Sequence, residues 1–411
     1  MKTELTKPKV LICGRNGSSN LCMARSFGIA GYPVEVLRIT QKKQKPWNLM
    51  QYLIPEAHSK YVRAYHSVLC NSQNRIIADK LLQLGKRGEK MLLIPACDMA
   101  ASAADEFLEE LREFYWLPNV NGRAGEINRL MQKHVQTELA RKAGLPVVNS
   151  CVIKTHNGEF TIPDSVRYPC FMKPNVSRNS NKGTICRCDS EQQLRQKLTA
   201  FSRNRDIEML VEDYLEIARE YAILGVSAGG TVAAPGYFVA EEGGHEGRKG
   251  VTMVGRVCST SVHQKLIDDI CRFVGTLNME GLFDVDLIET VDGKLYFVEL
   301  NLRYGASGYA VTRSGANLPA MYADCLIYGA PIDPNCKIES SGKQFVSEKV
   351  MMDEYARGFL TLRQIGLRMK QTQIHFIEDP EDPKPYRHFK KFYLFSMAAR
   401  VLFRLKRALR R

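Results

Sequence analysis

Several features are missing from this sequence of 411 residues. No apolar run approaches the ~20 residues that a helix needs to cross a bilayer. The start, MKTELTKPKV, lacks the apolar core of a secretory signal. The twelve cysteines contain no C-x-x-C pair, which argues against a zinc ribbon or a thioredoxin-type site. We therefore expect a cytoplasmic protein whose thiols are free.

The common nucleotide-binding motifs are also absent. No G-x-x-x-x-G-K-[ST] sequence occurs, which argues against a P-loop NTPase. The glycines of CGRNGSS (13–19) follow a G-x-x-G spacing, and the next predicted strand ends in Leu37-Arg38 instead of an acid. NAD binding is therefore not expected, and these glycines are interpreted as a structural turn.

Acidic residues are missing from the last part of the chain. Residues 387–411 contain nine Lys or Arg and no Asp or Glu, so that the formal net charge of +14 falls to +5 for the rest. The charge therefore belongs to a tail and does not indicate general nucleic-acid binding. The tail suggests a basic amphipathic helix on an anionic membrane surface. The alternative is a helix docked on its own protein or in an oligomer interface.

The length suggests two or three domains at ~150 residues each. Apolar runs at 10–13, 34–37 and 91–94, with helix-like segments at 21–30 and 105–115, predict an open α/β unit over residues 1–118. The stretch LPNVNGRAG (117–125) is the predicted boundary. Beyond it, the pattern predicts one helix over 127–143, a capped helix from Ser190, and a helix over 261–278. The strands predicted between them are 147–153, 170–173, 184–188, 209–211 and 221–226.

The segment GLFDVDLIETVDGKLYFVELNLR (281–303) carries the strongest chemical signal. Asp292-Gly293 between two β-rich runs predicts a two-residue hairpin turn, in which Val291 pairs with Lys294. Counting back along both strands then places Asp286 opposite Glu299, and Asp284 opposite Asn301. Because side chains alternate along a strand, these four oxygen-bearing side chains share one face.

Like charges that face each other across paired strands destabilise a sheet. A divalent cation such as Mg²⁺ would compensate them, since it prefers carboxylate and carbonyl oxygens and phosphate. The alternative is an exposed hairpin face whose acids are solvated or paired with Lys or Arg. The apolar neighbours on both strands favour an enclosed site.

Lysines upstream could complete a nucleotide site. Lys173 ends the apolar strand YPCFMKP, where its ammonium group would suit an ATP phosphate, and Lys133 lies on the predicted 127–143 helix. A surface position is the alternative for each. The loop NVSRNSNKG (175–183) offers hydroxyl and backbone N–H groups to phosphates. The bend at 212–220 could present backbone groups to adenine, and Glu220 a carboxylate to ribose.

The order of these pieces resembles the ATP-grasp family. MQKHVQTELARKAGLPVVNSCVI looks like the entrance to the domain, YPCFMKP with KGTICRCDSEQQL like its phosphate-binding strand and loop, LVEDYLEIAREYAI like its adenine hinge, and FDVDLIETVDGKLYFVELNLRYGASG like its metal hairpin. The opening GRNGSSNLCMARSFGIAGYPVEVL further resembles bacterial carboxylate–amine ligases of the D-aspartate ligase type.

The resemblance implies α/β and α+β architecture, with two lobes that clasp ATP and an open α/β domain before them. It implies a pre-ATP-grasp domain at 1–118, an ATP-grasp domain at 119–335 (smaller lobe 130–208, larger lobe 209–335) and a C-terminal extension at 336–411. It also implies roles for matching residues. The magnesium (or Mn²⁺) ligands would be Asp286, Glu299 and Asn301. The ATP contacts would be Lys133, Lys173, Ser177, Glu212, Leu215 and Glu220. The catalytic residues would be Arg303 and Lys173.

The implied function is an ATP-dependent carboxylate–amine ligase that acts through an acyl phosphate and releases ADP and phosphate. Its expected partners are a small-molecule carboxylate and amine, with a homo-oligomer and peripheral contact with the inner membrane surface as further expectations. Two alternatives stay open. One is another ATP-grasp outcome, carboxylation or acyl-thiol formation; the other is an ATP-binding regulatory protein without turnover.

Overall fold

The computed structural model describes most of the chain, namely residues 7–15, 17–41, 54–71, 73–176, 184–203, 205–245, 250–260, 263–391 and 397. Three sheets organise these residues. One forms the first α/β unit, a four-stranded sheet follows it in the chain, and a nine-stranded sheet contains most of the later strands. The strand at 208–213 belongs to the four-stranded sheet, although the predicted larger lobe begins at 209. No helix among the described residues is long and apolar enough to cross a membrane.

The first unit contains a five-stranded parallel sheet with the strand order β3-β2-β1-β4-β5. Its strands are β1 (Val10–Gly14), β2 (Val34–Thr40), β3 (Val62–Leu69), β4 (Met91–Pro95) and β5 (Tyr115–Trp116). Its helices are α1 (Gly17–Ile29), α2 (Asn74–Gly85), α3 (Asp98–Glu106) and α4 (Leu108–Leu111). The strand order reverses between β1 and β4, which is where open α/β sheets present residues to ligands.

The smaller sheet has four strands in the order β7-β10-β8-β9. A short strand β6 (Asn119–Val120) and helices α5 (Glu126–Leu130) and α6 (Lys133–Lys142) precede it. The strands are β7 (Ser150–Lys154), β8 (Cys170–Pro174), β9 (Cys186–Cys188) and β10 (Glu208–Asp213), and α7 (Glu191–Ser202) follows β9. The Ser190 hydroxyl accepts a hydrogen bond from the Gln193 backbone N–H, which confirms the predicted helix cap.

The larger sheet has nine strands and is mainly antiparallel. Its long strands are β11 (Ile217–Ala228), β13 (Gly236–Gly243), β14 (Thr252–Ser259), β15 (Met279–Thr290) and β16 (Leu295–Asn301), with the short strand β12 (Thr231–Ala233) beside β11. Helices α8 (Gln264–Thr276), α9 (Gly308–Arg313) and α10 (Leu318–Tyr328) accompany it. β6 pairs with the start of β15 and joins the first unit to this sheet.

The C-terminal residues extend the larger sheet. Strands β17 (Gln344–Val346) and β18 (Ile374–His375) add to its β14 edge, and helices α11 (Glu348–Arg357) and α12 (Leu362–Gln371) lie between them. Residues 384–391 are helical, and Phe389 is buried against Met351 and Tyr355 of α11 in one apolar cluster. The first part of the basic tail is therefore docked on the protein itself. Its remainder, apart from Met397, lies outside the described residues.

Two predicted helices are each divided in the structure. The helix predicted over 105–115 is wrong, because α3 begins at Asp98 and ends before Phe107, whose backbone leaves the helical region. The helix predicted over 127–143 is interrupted at Gln132, which has extended backbone angles and bridges to Val176. Pairing with the strand region after β8 thus competes with helix continuation.

The units share apolar cores. One cluster contains Val10 and Phe27 of the first unit together with Leu224 and Val226 of the larger sheet. A second cluster covers the opposite face of that sheet and contains Phe273, Phe283 and further side chains from α8, β15 and β16. The domain boundaries at 118 and 335 stay predictions.

A buried ion pair fastens the C-terminal segment to α1. Arg25 and Asp382 are 0% and 1% exposed, and Arg25 Nε lies 3.1 Å from Asp382 Oδ2. The guanidinium also donates to the carbonyl oxygens of Phe376 and Ile377, and the Asp382 carboxylate accepts from Ser59 Oγ. Both charged side chains in this contact are thus paired with each other and hydrogen-bonded to further protein groups.

Replacing Asp382 with Ala is expected to lower the free energy of unfolding by about 3–5 kcal/mol, because a buried guanidinium loses its counter-charge. Chemical denaturation followed by circular dichroism measures this loss. Asp79→Ala is the matched control, since it removes an exposed pair with Arg75 and should change stability little. Equal effects of the two substitutions would contradict the assignment of Arg25–Asp382 as an anchor.

Candidate active site

The hairpin of β15 and β16 brings together the acidic side chains that the sequence singled out. Asp286 lies opposite Glu299 and Asp284 lies opposite Asn301, as predicted. The turn is different from the prediction: Thr290 pairs with Lys294, so that three residues form the loop instead of two. The pairing shifts by one residue between Asp286 and Leu287, where β16 contains a bulge at Val298.

The bulge has a clear physical reason. In an unbulged strand, Phe297 would share a face with Glu299 and would lie among charged groups. With the extra residue, Phe297 and Leu300 both enter the apolar cluster beside α8, whereas Glu299 and Asn301 point to the opposite face. The wider turn and the bulge compensate each other, which is why the predicted opposition of acids is correct although the predicted turn is wrong.

Negative charge accumulates on this face of the hairpin. Asn301 Nδ2 donates to Asp286 Oδ2 over 3.1 Å, and Arg303 Nη2 donates to Asn301 Oδ1 over 3.1 Å. Burial raises the pKa of Asp284 to about 6, partly offset by Arg303. Burial, Asp284 and Glu299 raise the pKa of Asp286 to about 8. The negative charge of these two carboxylates is therefore unfavourable by itself, and binding a proton or a cation would stabilise them.

Lys133 reaches the hairpin from the start of α6. Its ammonium group forms an ion pair with Glu299, and its side chain is 7% exposed. The helix break at Gln132 makes Lys133 the first residue of α6. Gln136, one turn later, donates to Leu300 O over 2.7 Å and accepts from Leu300 N over 2.8 Å. This double hydrogen bond holds α6 against β16 next to Glu299.

Lys173 comes from the smaller sheet. Lys173 Nζ lies 2.8 Å from Glu212 Oε2, and the two side chains are only 9% and 12% exposed. Their strand neighbours Met172 and Val211 belong to the core of the smaller sheet, so that this ion pair occupies the other face. β8 leads directly to Asn175, whose carbonyl oxygen accepts from Lys133 N over 2.8 Å. The two lysines are thereby tied to each other through the backbone.

The predicted hinge connects the two sheets. The bend predicted over 212–220 is shorter in the structure, because β10 extends to Asp213 and β11 begins at Ile217. Leu215 is half-buried in this connection. Glu220 lies within β11 opposite Ile288, two positions from the Ala222–Asp286 pair. Glu220 therefore shares the face of the sheet that carries Asp286, and Glu212 is engaged with Lys173.

Arg303 follows β16 and links the hairpin to the first unit. Its Nε donates to Asp98 Oδ1 over 3.0 Å, and its Nη1 lies 3.9 Å from Asp284 Oδ2. Burial opposes the guanidinium charge, but Asp98, Asp284 and the other hairpin acids raise the pKa of Arg303 above its usual range. Arg303 is therefore a fixed positive charge at this end of the site.

Two participants were not predicted from the sequence. Asp98 follows the predicted strand at 91–94, and the rule that ligands meet the carboxyl ends of parallel strands could have found it. Gln136 gave no recognisable signal, because amide side chains are common on helices. Asn175 belongs to the predicted loop 175–183, but its contacts with α6 and Glu208 were not predicted. Ser177, predicted to contact phosphate, lies outside the described residues.

The chemistry of the hairpin suits a divalent cation, although its residues have other partners in the structure. Asp284 is 7% exposed, and its Oδ1 has no hydrogen-bond partner among the described residues. The network contains two more acidic than basic side chains. The acids are Asp98, Asp284, Asp286 and Glu299, and the bases are Lys133 and Arg303. Within the described part of the chain, no three His, Cys, Asp or Glu side chains form a group that could hold a metal. Glu299 would have to exchange Lys133 for the cation.

Comparison with known proteins identifies this arrangement. Residues 138–319 match the profile of the ATP-grasp domain. This part of the chain is an ATP-grasp domain. The β10–β11 connection and the β15–β16 hairpin both lie within the matched residues, and Lys133 lies just before them. The predicted ATP-grasp fold, preceded by an open α/β unit, is thus confirmed.

Relatives of the chain extend beyond that domain. The formate-dependent phosphoribosylglycinamide formyltransferase of Ignicoccus hospitalis is 23% identical over 347 residues, which cover 80% of this chain and 82% of the relative. The L-amino acid ligase from Bacillus licheniformis has a TM-score of 0.57 at 16% identity and covers 78% of this chain and 75% of its own. The biotin carboxylase domain of the Hydrogenobacter thermophilus 2-oxoglutarate carboxylase, in complex with MgADP, ADP and bicarbonate, has a TM-score of 0.60 at 15% identity, with 82% and 72% coverage.

These likenesses confirm the prediction of an ATP-grasp enzyme of the ligase class. ATP is the nucleotide of this family. The similarity to solved structures is a similarity of fold, so that the bond formed and the role of each ATP-grasp residue stay predictions. The structure contributes the contacts that make those roles testable.

Replacing Lys173 with Met is expected to weaken ATP binding by about tenfold or more, because a phosphate would lose a buried charged donor. Titration calorimetry with ATP and Mg²⁺ measures the affinity. Lys154→Met is the matched control, since Lys154 lies on the adjacent region of the same sheet, is 68% exposed and pairs with Glu208. Unchanged affinity in the Lys173 variant would contradict its assignment to phosphate.

Proposed function

We propose that the protein is an ATP-dependent carboxylate–amine ligase, which forms an amide bond through an acyl phosphate and releases ADP and phosphate. The observation that supports it best is the pair of buried lysines, Lys133 held by Glu299 of the acid-rich hairpin and Lys173 held by Glu212 of the smaller sheet. A triphosphate can replace those carboxylates as the partner of each ammonium group. Glu299 is then available to a cation, and Glu212 to the adenosine part of the nucleotide.

The proposed chemistry explains why charge of both signs is needed. A carboxylate is a poor electrophile, because an amine would have to displace oxide. Attack of the carboxylate on the γ-phosphorus of ATP produces an acyl phosphate and ADP. The amine then attacks the acyl carbon, and phosphate leaves. Lys133, Lys173 and Arg303 would stabilise the negative charge on the transferred phosphoryl group.

Asp286, Glu299 and Asn301 would hold Mg²⁺, or Mn²⁺ in its place. Their carboxylate and amide oxygens are the donors that these ions prefer. When bound, the ion supplies charge neutralisation to the phosphates. Glu212, Leu215 and Glu220 would receive the adenosine part, since they lie at the connection between the two sheets. Ser177 would contribute to the loop over the phosphates.

The relatives support a carboxylate and an amine as substrates. One relative is named for formate and glycinamide, and a structural neighbour is an amino acid ligase. The opening residues also resemble carboxylate–amine ligases of the D-aspartate ligase type. Carboxylation is the second candidate, because another neighbour is a biotin carboxylase domain bound to bicarbonate. Screening carboxylates and amines, and separately bicarbonate, for substrate-dependent ADP release distinguishes the two.

We further propose a cytoplasmic enzyme that forms a homo-oligomer, acts on small molecules and does not bind nucleic acid. Outside the tail the chain carries only a mild positive charge. A docked start of the tail helix is compatible with membrane contact through the residues that follow it. The described part, 384–391, uses Phe389 for packing and leaves Lys390 exposed.

Glu299→Ala and Asn301→Ala are each expected to abolish substrate-dependent ADP formation while the protein stays folded, because the cation loses a ligand. A coupled ADP assay measures turnover, and circular dichroism verifies the fold. Asp292→Asn is the matched control on the same hairpin, where Asp292 pairs with Lys294 in the exposed turn. Undiminished turnover in either site variant would refute the metal assignment.

Removal of residues 392–411 is expected to reduce binding to vesicles that contain anionic lipid, because most of the basic tail is lost. Co-sedimentation at low and high salt measures this binding. The shortened chain retains Phe389 and hence the docked helix start. Equal sedimentation of the full and shortened chains would exclude the tail as a membrane contact.

A further inference from the structure

The first α/β unit contributes a charged side chain to the ATP-grasp site. Asp98 is the first residue of α3 and follows the carboxyl end of β4. It accepts a hydrogen bond from Arg303 Nε, although the two residues are separated by 205 positions in the sequence. Their side chains are only 29% and 23% exposed, so that the pair is partly shielded from solvent.

The contacts of Arg303 assign separate partners to separate nitrogens. Nε points to Asp98, Nη2 donates to Asn301 Oδ1, and Nη1 lies at the longer distance of 3.9 Å from Asp284. A guanidinium is planar, so that fixing two of its edges fixes the direction of the third. Asp98 holds the Nε side of the guanidinium, which keeps Nη1 at this longer distance from Asp284.

Among the described residues, Asp98 is the one partner of Arg303 outside the hairpin; the others are Asn301 and Asp284. Arg303 Nη1 already lies 3.9 Å from Asp284 Oδ2, and Asp286 is joined to Asn301 on the same face, so that a small shift would pair the guanidinium with these carboxylates. Arg303 would then occupy the oxygens that the cation needs. Asp98 therefore competes with the hairpin for the same side chain.

We infer that Asp98 is a positioning residue, which holds Arg303 beside the hairpin so that the carboxylates stay available to the divalent cation. The inference rests on the proposed function for the identity of that cation. It gives the first unit a part in metal binding, in addition to its packing against the larger sheet. Asp98 itself need not touch ATP or the cation.

Mn²⁺ binding in the presence of ATP tests the inference without a known substrate, and electron paramagnetic resonance measures free Mn²⁺ directly. Asp98→Asn is expected to weaken Mn²⁺ binding by about tenfold, which is the scale of one charged hydrogen bond. Asp98→Glu should restore most of the affinity. Asp79→Asn is the control, since it removes an exposed pair with Arg75 from the same unit and should change nothing.

A double-mutant cycle separates positioning from a simple loss of negative charge. If Asp98 acts through Arg303, Asp98→Asn should have little further effect on Mn²⁺ binding in an Arg303→Gln background. An undiminished effect in that background, or unchanged affinity in the single variant, would overturn the inference. A thermal melt of each variant shows whether it is folded. If Asp98→Asn does not fold, Asp98→Glu still tests the inference.

The two proposals fail differently. Absence of Mn²⁺–ATP binding in the unaltered chain would count against the proposed function. Normal binding in both the unaltered chain and the Asp98→Asn variant would count against Asp98 alone.

Discussion

The repulsion between carboxylates on the β15–β16 hairpin is the constraint on which the rest of the site depends. Asp284, Asp286 and Glu299 lie on one face of two paired strands, where like charges destabilise the sheet. The protein meets this cost with Lys133 from one side and Arg303 from the other. Each of these two positively charged side chains is also held by another part of the chain. The backbone of Lys133 is bound to Asn175 after β8, and Arg303 is bound to Asp98 of the first unit.

This arrangement explains why the surrounding elements are irregular. α6 begins late because its first turn is bound to the region after β8, and that late start delivers Lys133 to Glu299. β16 bulges because Phe297 needs the core and Glu299 needs the charged face. A regular helix and a regular strand are interrupted at these two places, and the interruptions position Lys133 and Glu299 in the candidate site.

The sequence predicted the family, the open α/β unit and the opposition of Asp286 to Glu299, because strand alternation and the order of motifs are local signals. It did not predict the helix break at Gln132, since the competing partner Val176 is distant in sequence. It also missed the link from Asp98 to Arg303. A contact across 205 positions depends on how the first sheet packs against the larger one, and no pattern in either segment records it.

The compensation between the wide turn and the bulge has an evolutionary consequence. The opposition of Asp286 to Glu299 depends on the number of residues between them and not on where the spare residue is accommodated. Drift in this loop can therefore change the turn type freely, as long as the length is kept. A single insertion or deletion in the same stretch would exchange the residues presented to the phosphates, so selection should act on its length more strongly than on its composition.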